Sequence, residues 1–211
     1  MRESRIRSIW KAGGAVVNGW LAIPSAFSAE TMAHQGWDSL TVDLQHGVVD
    51  YQAAVTMFTA ISTTDTVPVV RVPWNEPGIL GKVLDAGAYG VICPMVNTRE
   101  DAERLVAATR YPPLGSRSLG PIRANDTVVE LGQVETQQSL DNLDAILSVP
   151  GLDGVYIGPA DLSISLGCAP TFDDVEPPVA QAIEHVLARA KALGKVAAIH
   201  NGSPEYALKR I

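Results

Sequence analysis

The sequence predicts an α/β fold, a (β/α)8 TIM barrel in which parallel strands alternate with helices. Apolar runs of strand length recur along the chain and are nearly continuous, as in a parallel sheet covered by helices. The segments between them have helical spacing, and several stop at a glycine. Neither G-x-G-x-x-G after the first strand nor G-x-x-x-x-G-K-[ST] occurs, which disfavours a doubly wound nucleotide-binding sheet.

The individual elements follow from these patterns. Seven strands are predicted, at residues 16–23, 39–43, 67–72, 90–95, 127–135, 154–157 and 195–199. Helices are predicted at residues 28–35, 76–86, 98–109, 140–148 and 178–193. A complete barrel typically needs about 250 residues, so a 211-residue chain of this pattern resembles a barrel that lacks strand eight and its helices.

Length and composition predict one domain, residues 1–211, because 46% hydrophobic content over this length can bury one sizeable core. The formal charge of -7 argues against nucleic acid as a partner, since an acidic surface repels phosphate. No apolar run approaches the roughly 18 residues of a membrane span, and no signal-peptide core follows the start, so we expect a cytoplasmic protein. Cys93 and Cys168 lie in unrelated contexts, which argues against a disulfide framework and a zinc cluster.

Two carboxylates end neighbouring predicted strands. Glu135 closes the fifth strand and Asp161 follows the sixth. Functional side chains of a barrel lie at the carboxyl ends of its strands, so both would face one rim and could bind one magnesium or manganese ion. The remaining coordination positions would then be left to water and a bidentate substrate. The alternative is that Glu135 pairs with an arginine and Asp161 caps the next helix.

A histidine and an arginine end two other strands. His46 follows Asp43 by three residues, and a carboxylate that accepts from one ring nitrogen would orient the imidazole as a general base. Gly47 permits close approach of the backbone there. The alternative is a structural histidine. Arg71 ends an apolar strand, where a guanidinium needs an anionic partner, either a carboxylate substrate or enolate or a salt bridge to Asp43 or Glu135.

Further candidates lie at the same predicted rim. The Gly-Pro-Ala-Asp segment at 158–161 offers backbone N–H groups at a helix start, where a small carboxylate could bind. Composition alone would leave Trp20 as a packing residue. Lys195 opens strand seven at the opposite end and Lys82 falls in a helix, so a Schiff-base mechanism lacks its nucleophile.

Several short motifs follow one another in a characteristic order. They are Trp20, Asp43-x-x-His46-Gly47, Arg71-Val72-Pro73, Gly90-Val91-Ile92-Cys93-Pro94-Met95, Gln133-x-Glu135-Thr136 and Gly158-Pro159-Ala160-Asp161-Leu162-Ser163. Together they resemble the HpcH/HpaI aldolase/citrate lyase family, from about Gly19 to the last residue. The resemblance implies a barrel of the phosphoenolpyruvate/pyruvate type and a homo-oligomer, a hexamer in that family. It also implies a class II aldolase that reversibly cleaves a 4-hydroxy-2-oxo acid, such as 4-hydroxy-2-oxoheptanedioate, to pyruvate and an aldehyde.

The resemblance also implies a binding site for metal and pyruvate. Glu135 and Asp161 would hold a divalent ion, Mg2+ or Mn2+, with Co2+ as a further option. Gln133 would lie beside the bound pyruvate, and Trp20 would border its pocket. The backbone N–H groups of Ala160 and Asp161 would bind the pyruvate carboxylate.

The same resemblance implies the catalytic roles. His46 would be the base, assisted by Asp43, and Arg71 would steady the pyruvate enolate. A divalent ion and Arg71 would then replace an iminium as the electron sink, which agrees with the missing lysine. Two alternatives stay open: a lyase acting on coenzyme A thioesters with the same metal site, and a non-catalytic barrel subunit.

The sequence departs from the family pattern at two places, and at each it lacks a segment that the family has. The family carries a further stretch between 120–123 and strand five, whereas here 124–126 lead almost directly into that strand. The chain also stops at Ile211, where the family continues through strand eight. Strands one and seven would then expose unpaired edges, which soluble proteins usually avoid, so we expect a fragment or a sequence that omits segments. The missing regions matter because the family's hexamer exchanges C-terminal helices between subunits and because part of its aldehyde pocket comes from these regions.

Overall fold

The computed structural model describes residues 4–120, 123 and 128–211. Its seven strands are β1 (Asn18–Leu21), β2 (Ser39–Asp43), β3 (Val67–Arg71), β4 (Gly90–Cys93), β5 (Val129–Val134), β6 (Gly154–Ile157) and β7 (Val196–Ile199). Its helices are α1 (Arg5–Lys11), α2 (Ala26–Ala33), α3 (Tyr51–Ile61), α4 (Pro77–Asp85), α5 (Arg99–Thr109), α6 (Gln137–Asp141), α7 (Leu143–Leu147), α8 (Pro159–Ser165), α9 (Pro177–Ala192) and α10 (Pro204–Leu208). The α/β class is therefore confirmed. A strand-then-helix series with seven strands is the pattern of a TIM-like barrel that lacks one strand.

Contacts between Cα atoms divide the chain into two compact units. Unit 1 comprises Met1–Ile92 and Ala107–Val129, and unit 2 comprises Cys93–Val106 and Glu130–Ile211. In unit 1, β1, β2, β3 and β4 are parallel, and each pairs with the next. In unit 2, β5, β6 and β7 are also parallel, and each pairs with the next. The single domain expected from length and composition stays a prediction.

Several boundaries differ from the sequence prediction. The predicted helix at 140–148 is two short helices, α6 and α7, which meet at Asn142. A capping box at Thr136 starts α6 early, and the Asn142 side chain donates to the carbonyl oxygens of Asn97 and Gln138 instead of continuing one helix. Residue 127 of the predicted fifth strand, and 124–126, lie outside the described residues. None of the helices in the described part of the chain is long and apolar enough to span a membrane.

Strand register determines which side chains share a face of the sheet. In unit 1, Asp43 at the end of β2 is the register partner of Arg71 at the end of β3. In unit 2, Gln133 on β5 is the partner of Tyr156 on β6, and Tyr156 is the partner of Ala198 on β7. Side chains alternate along a strand, so residues two positions further on return to the same face. The register thus groups polar side chains at the carboxyl ends of the strands within each unit.

A glycine sets the spacing between β6 and β7. A Cβ on Gly154 would lie only 2.0 Å from the carbonyl oxygen of Val196. Gly81, in the interior of α4, is the opposite case, because a Cβ there would meet nothing within 4 Å. Only the first glycine is required by close backbone approach.

We therefore expect Gly154→Ala to force β6 and β7 apart and to lower the free energy of unfolding by roughly 1–3 kcal/mol, the usual effect of overpacking. Gly81→Ala should raise it by about 0.5–1 kcal/mol, because alanine loses less backbone entropy in a helix. Urea unfolding of the two variants and the unsubstituted protein measures both effects. A Gly154→Ala protein that matched the unsubstituted one would contradict this account of the strand spacing.

Candidate functional site

The first polar cluster lies in unit 1 and is centred on Asp43. Asp43 is 2% exposed, and its carboxylate forms a two-pronged ion pair with Arg71. Arg71 Nε donates to Oδ1 at 2.9 Å, and Nη2 donates to Oδ2 at 2.6 Å. The pair follows directly from the β2–β3 register, which sets the two side chains side by side. Two parallel N–H···O bonds fix the guanidinium plane more firmly than one bond would.

Further donors converge on the same carboxylate. Trp20 Nε1 on β1 donates to Asp43 Oδ2 at 3.2 Å, and the Arg71 guanidinium carbon lies 4.9 Å from the Trp20 ring centroid. The backbone N–H groups of Gln45 and His46 donate to Oδ1 at 3.0 and 3.3 Å. Burial raises the pKa of the Asp43 carboxyl, but the hydrogen bonds and the charge of Arg71, with Trp20 and Gln45, outweigh burial and lower it. Asp43 is therefore ionised in the folded protein.

The arrangement corrects one detail of the sequence prediction. Asp43 was expected to accept a hydrogen bond from the His46 ring, but it binds the His46 backbone N–H, and its oxygens are taken up by Arg71, Trp20 and the turn. No hydrogen bond joins the two side chains in the described structure. The His46 side chain is exposed. Gly47 is needed in this turn, because a Cβ there would lie 2.3 Å from the Asp43 carbonyl oxygen.

The second polar cluster lies in unit 2 and is centred on Glu135, immediately after β5. Glu135 is 2% exposed. Gln133 Nε2 donates to Glu135 Oε2 at 2.5 Å, and the backbone N–H of Met95 donates to Oε1 at 2.8 Å. Met95 has a φ of 54°, an uncommon conformation for a residue other than glycine, and it aims its N–H at the carboxylate. In the described structure Gln133 Oε1 is buried and has no hydrogen-bond partner.

Gly158 packs closely against this carboxylate where β6 gives way to α8. A Cβ on Gly158 would lie 2.9 Å from Gln133 Nε2 and 3.1 Å from Glu135 Oε2. Gly158 is also the N-cap of α8, and Pro159 opens the helix. Asp161 is exposed and lies within the first turn, so it is not the residue that caps the helix. Glu135 and Asp161 thus follow two adjacent, paired strands.

Two further side chains with reactive groups, Cys93 and Lys195, have structural roles. Among the described residues, no group of three or more histidine, cysteine, aspartate or glutamate side chains is placed to hold a metal ion. Burial, followed by the charges of Asp101 and Glu135, raises the pKa of the Cys93 thiol to about 12, so it is a protonated packing residue. Lys195 Nζ donates to the Leu152 carbonyl oxygen at 2.6 Å, near the start of β7.

Sequence reasoning missed two features of unit 2. Tyr156 lies in the predicted strand at 154–157 and His200 directly follows the predicted strand at 195–199, and neither was a candidate, yet the Tyr156 hydroxyl and His200 Nδ1 are 2.8 Å apart. The positive φ of Met95 was also missed. No local signal could have found either one, because register and backbone strain are set by contacts between distant segments.

Comparison with known proteins gives relatives over nearly the whole chain. The hydroxypyruvate/pyruvate aldolase of Rhizorhabdus wittichii is 43% identical over 216 residues, spanning 97% of this chain and 86% of the relative. The 4-hydroxy-2-oxo-heptane-1,7-dioate aldolase of Salmonella dublin is 38% identical over 212 residues, spanning 93% and 80%. Named aldolases at this similarity identify the chain as a lyase of the aldolase type.

Solved structures agree. An HpcH/HpaI aldolase/citrate lyase family protein from Burkholderia cenocepacia is 32% identical with a TM-score of 0.90, over 98% of this chain and 88% of that chain. The CitE protein of Mycobacterium tuberculosis, solved with magnesium and pyruvate, is 19% identical with a TM-score of 0.59 over 88% and 73%, a likeness of fold alone. The family model for HpcH/HpaI aldolase/citrate lyase matches residues 18–205, and the chain therefore belongs to that family.

Proposed function

We propose that this protein is a divalent-metal-dependent class II aldolase on a barrel of the phosphoenolpyruvate/pyruvate type. It would reversibly cleave a 4-hydroxy-2-oxo acid, such as 4-hydroxy-2-oxoheptanedioate, to pyruvate and an aldehyde. The observation that supports this best is the buried Glu135 carboxylate, which accepts hydrogen bonds from Gln133 and from the Met95 backbone, with Asp161 following the adjacent strand. The named relatives act in the same reaction class.

The residues of unit 2 fit a magnesium or manganese ion. The donor set consists of carboxylate oxygens, which these hard cations prefer, and Co2+ would also be accepted. Gly158 has no side chain to crowd Glu135 Oε2, which a Cβ at this position would approach to 3.1 Å. Gln133 Oε1 is a buried acceptor that lacks a donor, as expected of a group that faces a bound molecule. With Glu135 and Asp161 as the only protein ligands, most coordination positions would remain for water and substrate.

The bound ion would polarise the 2-oxo group and stabilise the negative charge that develops there. Gln133 would lie beside the pyruvate, and Trp20 would border its pocket. The backbone N–H groups of Ala160 and Asp161, in a first turn whose N-cap residue Gly158 has no side chain to offer, would bind the pyruvate carboxylate.

The residues of unit 1 would handle charge and the proton. Arg71 uses two of its five N–H donors in hydrogen bonds to Asp43. The same guanidinium therefore has further donors for a developing enolate oxygen. Asp43 fixes the turn that carries His46, and the exposed imidazole would move the proton at the pyruvate methyl carbon or at the aldehyde oxygen. Asp43 acts here as a positioning residue for the backbone, not as a partner of the ring.

The metal site is tested by exchange of the pyruvate methyl protons with deuterium, followed by NMR. We expect exchange with added Mg2+ or Mn2+ and its loss on chelation. Asp161→Asn should slow exchange roughly a hundredfold or more, because it removes charge that holds the ion. Asp141→Asn is a matched control, since Asp141 is an exposed aspartate on the short helix after β5. Undiminished exchange after chelation would overturn the proposal.

The base is tested in the same assay. His46→Ala should lower the exchange rate by roughly a factor of 10²–10⁴, the usual contribution of a positioned acid or base. His34→Ala should leave the rate unchanged, because His34 is exposed at the end of α2. Exchange at the unsubstituted rate in His46→Ala would assign the proton transfer to another residue.

The Asp43–Arg71 pair predicts a pH dependence of stability. The folded pKa of Asp43 is lowered, so the pair's contribution is complete above the ordinary pKa of about 3.9 and is lost as pH falls through the folded value. Arg71→Gln should cost about 3–5 kcal/mol of unfolding free energy at pH 7, because it leaves a buried charge without its partner. That cost should shrink towards pH 3.

Urea unfolding at pH 7, 5 and 3 measures the effect. Arg189→Gln is the control, because Arg189 pairs with Asp144 at the surface and its loss should change stability little at any of these pH values. A cost of Arg71→Gln that did not depend on pH would show that the guanidinium stabilises the fold by packing and not by its charge.

A further inference from the structure

A loop before α5 binds the chain at Glu135 and again at the next residue. The loop consists of residues 94–98, and in it the Met95 backbone N–H donates to Glu135 Oε1 at 2.8 Å. The residue after Glu135 is bound to the same loop, because the Thr136 hydroxyl donates to Asn97 Oδ1. Two hydrogen bonds from adjacent residues therefore join the segment that carries Glu135 to loop residues that are two positions apart.

Val96 lies between these two contacts and fixes the middle of the loop against β5. Its backbone N–H donates to the Gln133 carbonyl oxygen at 3.2 Å. A Cβ on Gly132 would lie 3.2 Å from each of three side-chain carbons of Val96, so the isopropyl group packs directly on the strand. Val96 is 0% exposed. The loop is therefore attached to β5 at its centre, and the contacts of Met95 and Asn97 set the positions of the residues on either side.

The conformation of Met95 needs support from its neighbours. Its φ of 54° lies in the left-handed region, which is unfavourable for a residue other than glycine and persists only where the surrounding structure enforces it. Val96 and Asn97 provide that support on the C-terminal side of Met95. If Asn97 were released, Met95 could return to a negative φ, and this rotation would turn its N–H away from Glu135.

Asn97 is held by three hydrogen bonds. Its backbone N–H donates to Asp101 Oδ2 at 3.0 Å, and its carbonyl oxygen accepts from Asn142 Nδ2 at 3.0 Å. Its side-chain oxygen accepts from the Thr136 hydroxyl. The first two bonds join Asn97 to α5 and to the junction of α6 and α7. The third joins it to the residue next to Glu135.

Thr136 also caps α6, and this second role can be separated from the first. The Thr136 hydroxyl oxygen accepts from the Ser139 backbone N–H at 3.0 Å, and Ser139 Oγ accepts from the Thr136 backbone N–H at 3.1 Å. A hydroxyl has one O–H to donate, and Thr136 donates it to Asn97. Removal of the Asn97 side chain therefore breaks the bond to the loop and leaves both halves of the helix cap in place.

We propose that Asn97 and Thr136 are positioning residues for the metal site, and this rests on the function proposed above. Their hydrogen bond holds the loop against the segment that carries Glu135, so Met95 keeps its left-handed conformation and its N–H stays on Glu135 Oε1. The carboxylate is thereby oriented before a cation binds, which lowers the entropic cost of binding. Asn97 and Thr136 act through Met95 and do not contact the ion.

The first test is exchange of the Met95 amide proton with solvent deuterium, followed by NMR in the metal-free protein. Asn97→Ala should accelerate this exchange roughly tenfold or more, because the N–H is released from its acceptor more often. Thr136→Val should have the same effect, whereas Thr136→Ser keeps the hydroxyl and should retain the unsubstituted rate. Ser139→Ala is the control, because it breaks the other half of the helix cap without removing the bond to Asn97.

The second test is titration with Mn2+ alone, in which the EPR signal of the free ion gives the dissociation constant. This constant should rise roughly tenfold in Asn97→Ala and in Thr136→Val, an effect typical of losing a group that orients a metal ligand. It should stay unchanged in Thr136→Ser and in Ser139→Ala. A role in fold stability alone would move neither the Met95 exchange rate nor the Mn2+ affinity selectively in the two variants that lose the Asn97–Thr136 bond.

An unchanged Met95 exchange rate in Asn97→Ala, or an accelerated rate with unchanged Mn2+ affinity, would overturn the inference and leave the proposed function standing. Equal effects of Ser139→Ala and Thr136→Val would assign those effects to the cap of α6 and overturn it too. Failure of the unsubstituted protein to bind Mn2+ would overturn the proposed function, and the inference with it.

Discussion

A carboxylate buried at the end of a strand is unfavourable unless charge or hydrogen-bond donors compensate for its lost water, and both units of this protein are organised around one. In unit 1, Asp43 is compensated by a guanidinium, an indole N–H and two backbone N–H groups. In unit 2, Glu135 is held by the amide of Gln133 and the backbone of Met95. Asp43 has the positive charge of Arg71 beside it, whereas the donors described for Glu135 are amide N–H groups.

The two carboxylates have different roles in the proposed function. Asp43 and Arg71 form an anchored pair that can present guanidinium donors to an anion while the turn to His46 stays fixed. Glu135 would bind the divalent ion next to Gly158, which has no side chain to crowd the Glu135 carboxylate. The strained backbone of Met95 belongs to the same arrangement, because its left-handed conformation brings an N–H to the carboxylate.

Much of the candidate site could be predicted from the sequence because it depends on local patterns. Asp43, Arg71, Glu135 and Asp161 stand at or just after the ends of apolar runs, and within each unit the parallel strands bring such ends to one edge. The expected hydrogen bond between Asp43 and the His46 ring was wrong, because competition among Arg71, Trp20 and the backbone for two oxygens cannot be evaluated from spacing. The break between α6 and α7 escaped prediction for a similar reason, since Asn142 bonds to the distant Asn97.

The sequence by itself determined the alternation of strands and helices and the polar residues that end the strands. It also determined that no lysine stands at the carboxyl end of a predicted strand. Periodicity and residue chemistry are local, so they are readable without coordinates. Only the tertiary structure decided which polar groups meet: Asp43 with Arg71, Glu135 with Met95, and Tyr156 with His200. These pairings depend on strand register and on backbone conformations imposed by packing, in which a shift of one residue would turn each side chain to the other face.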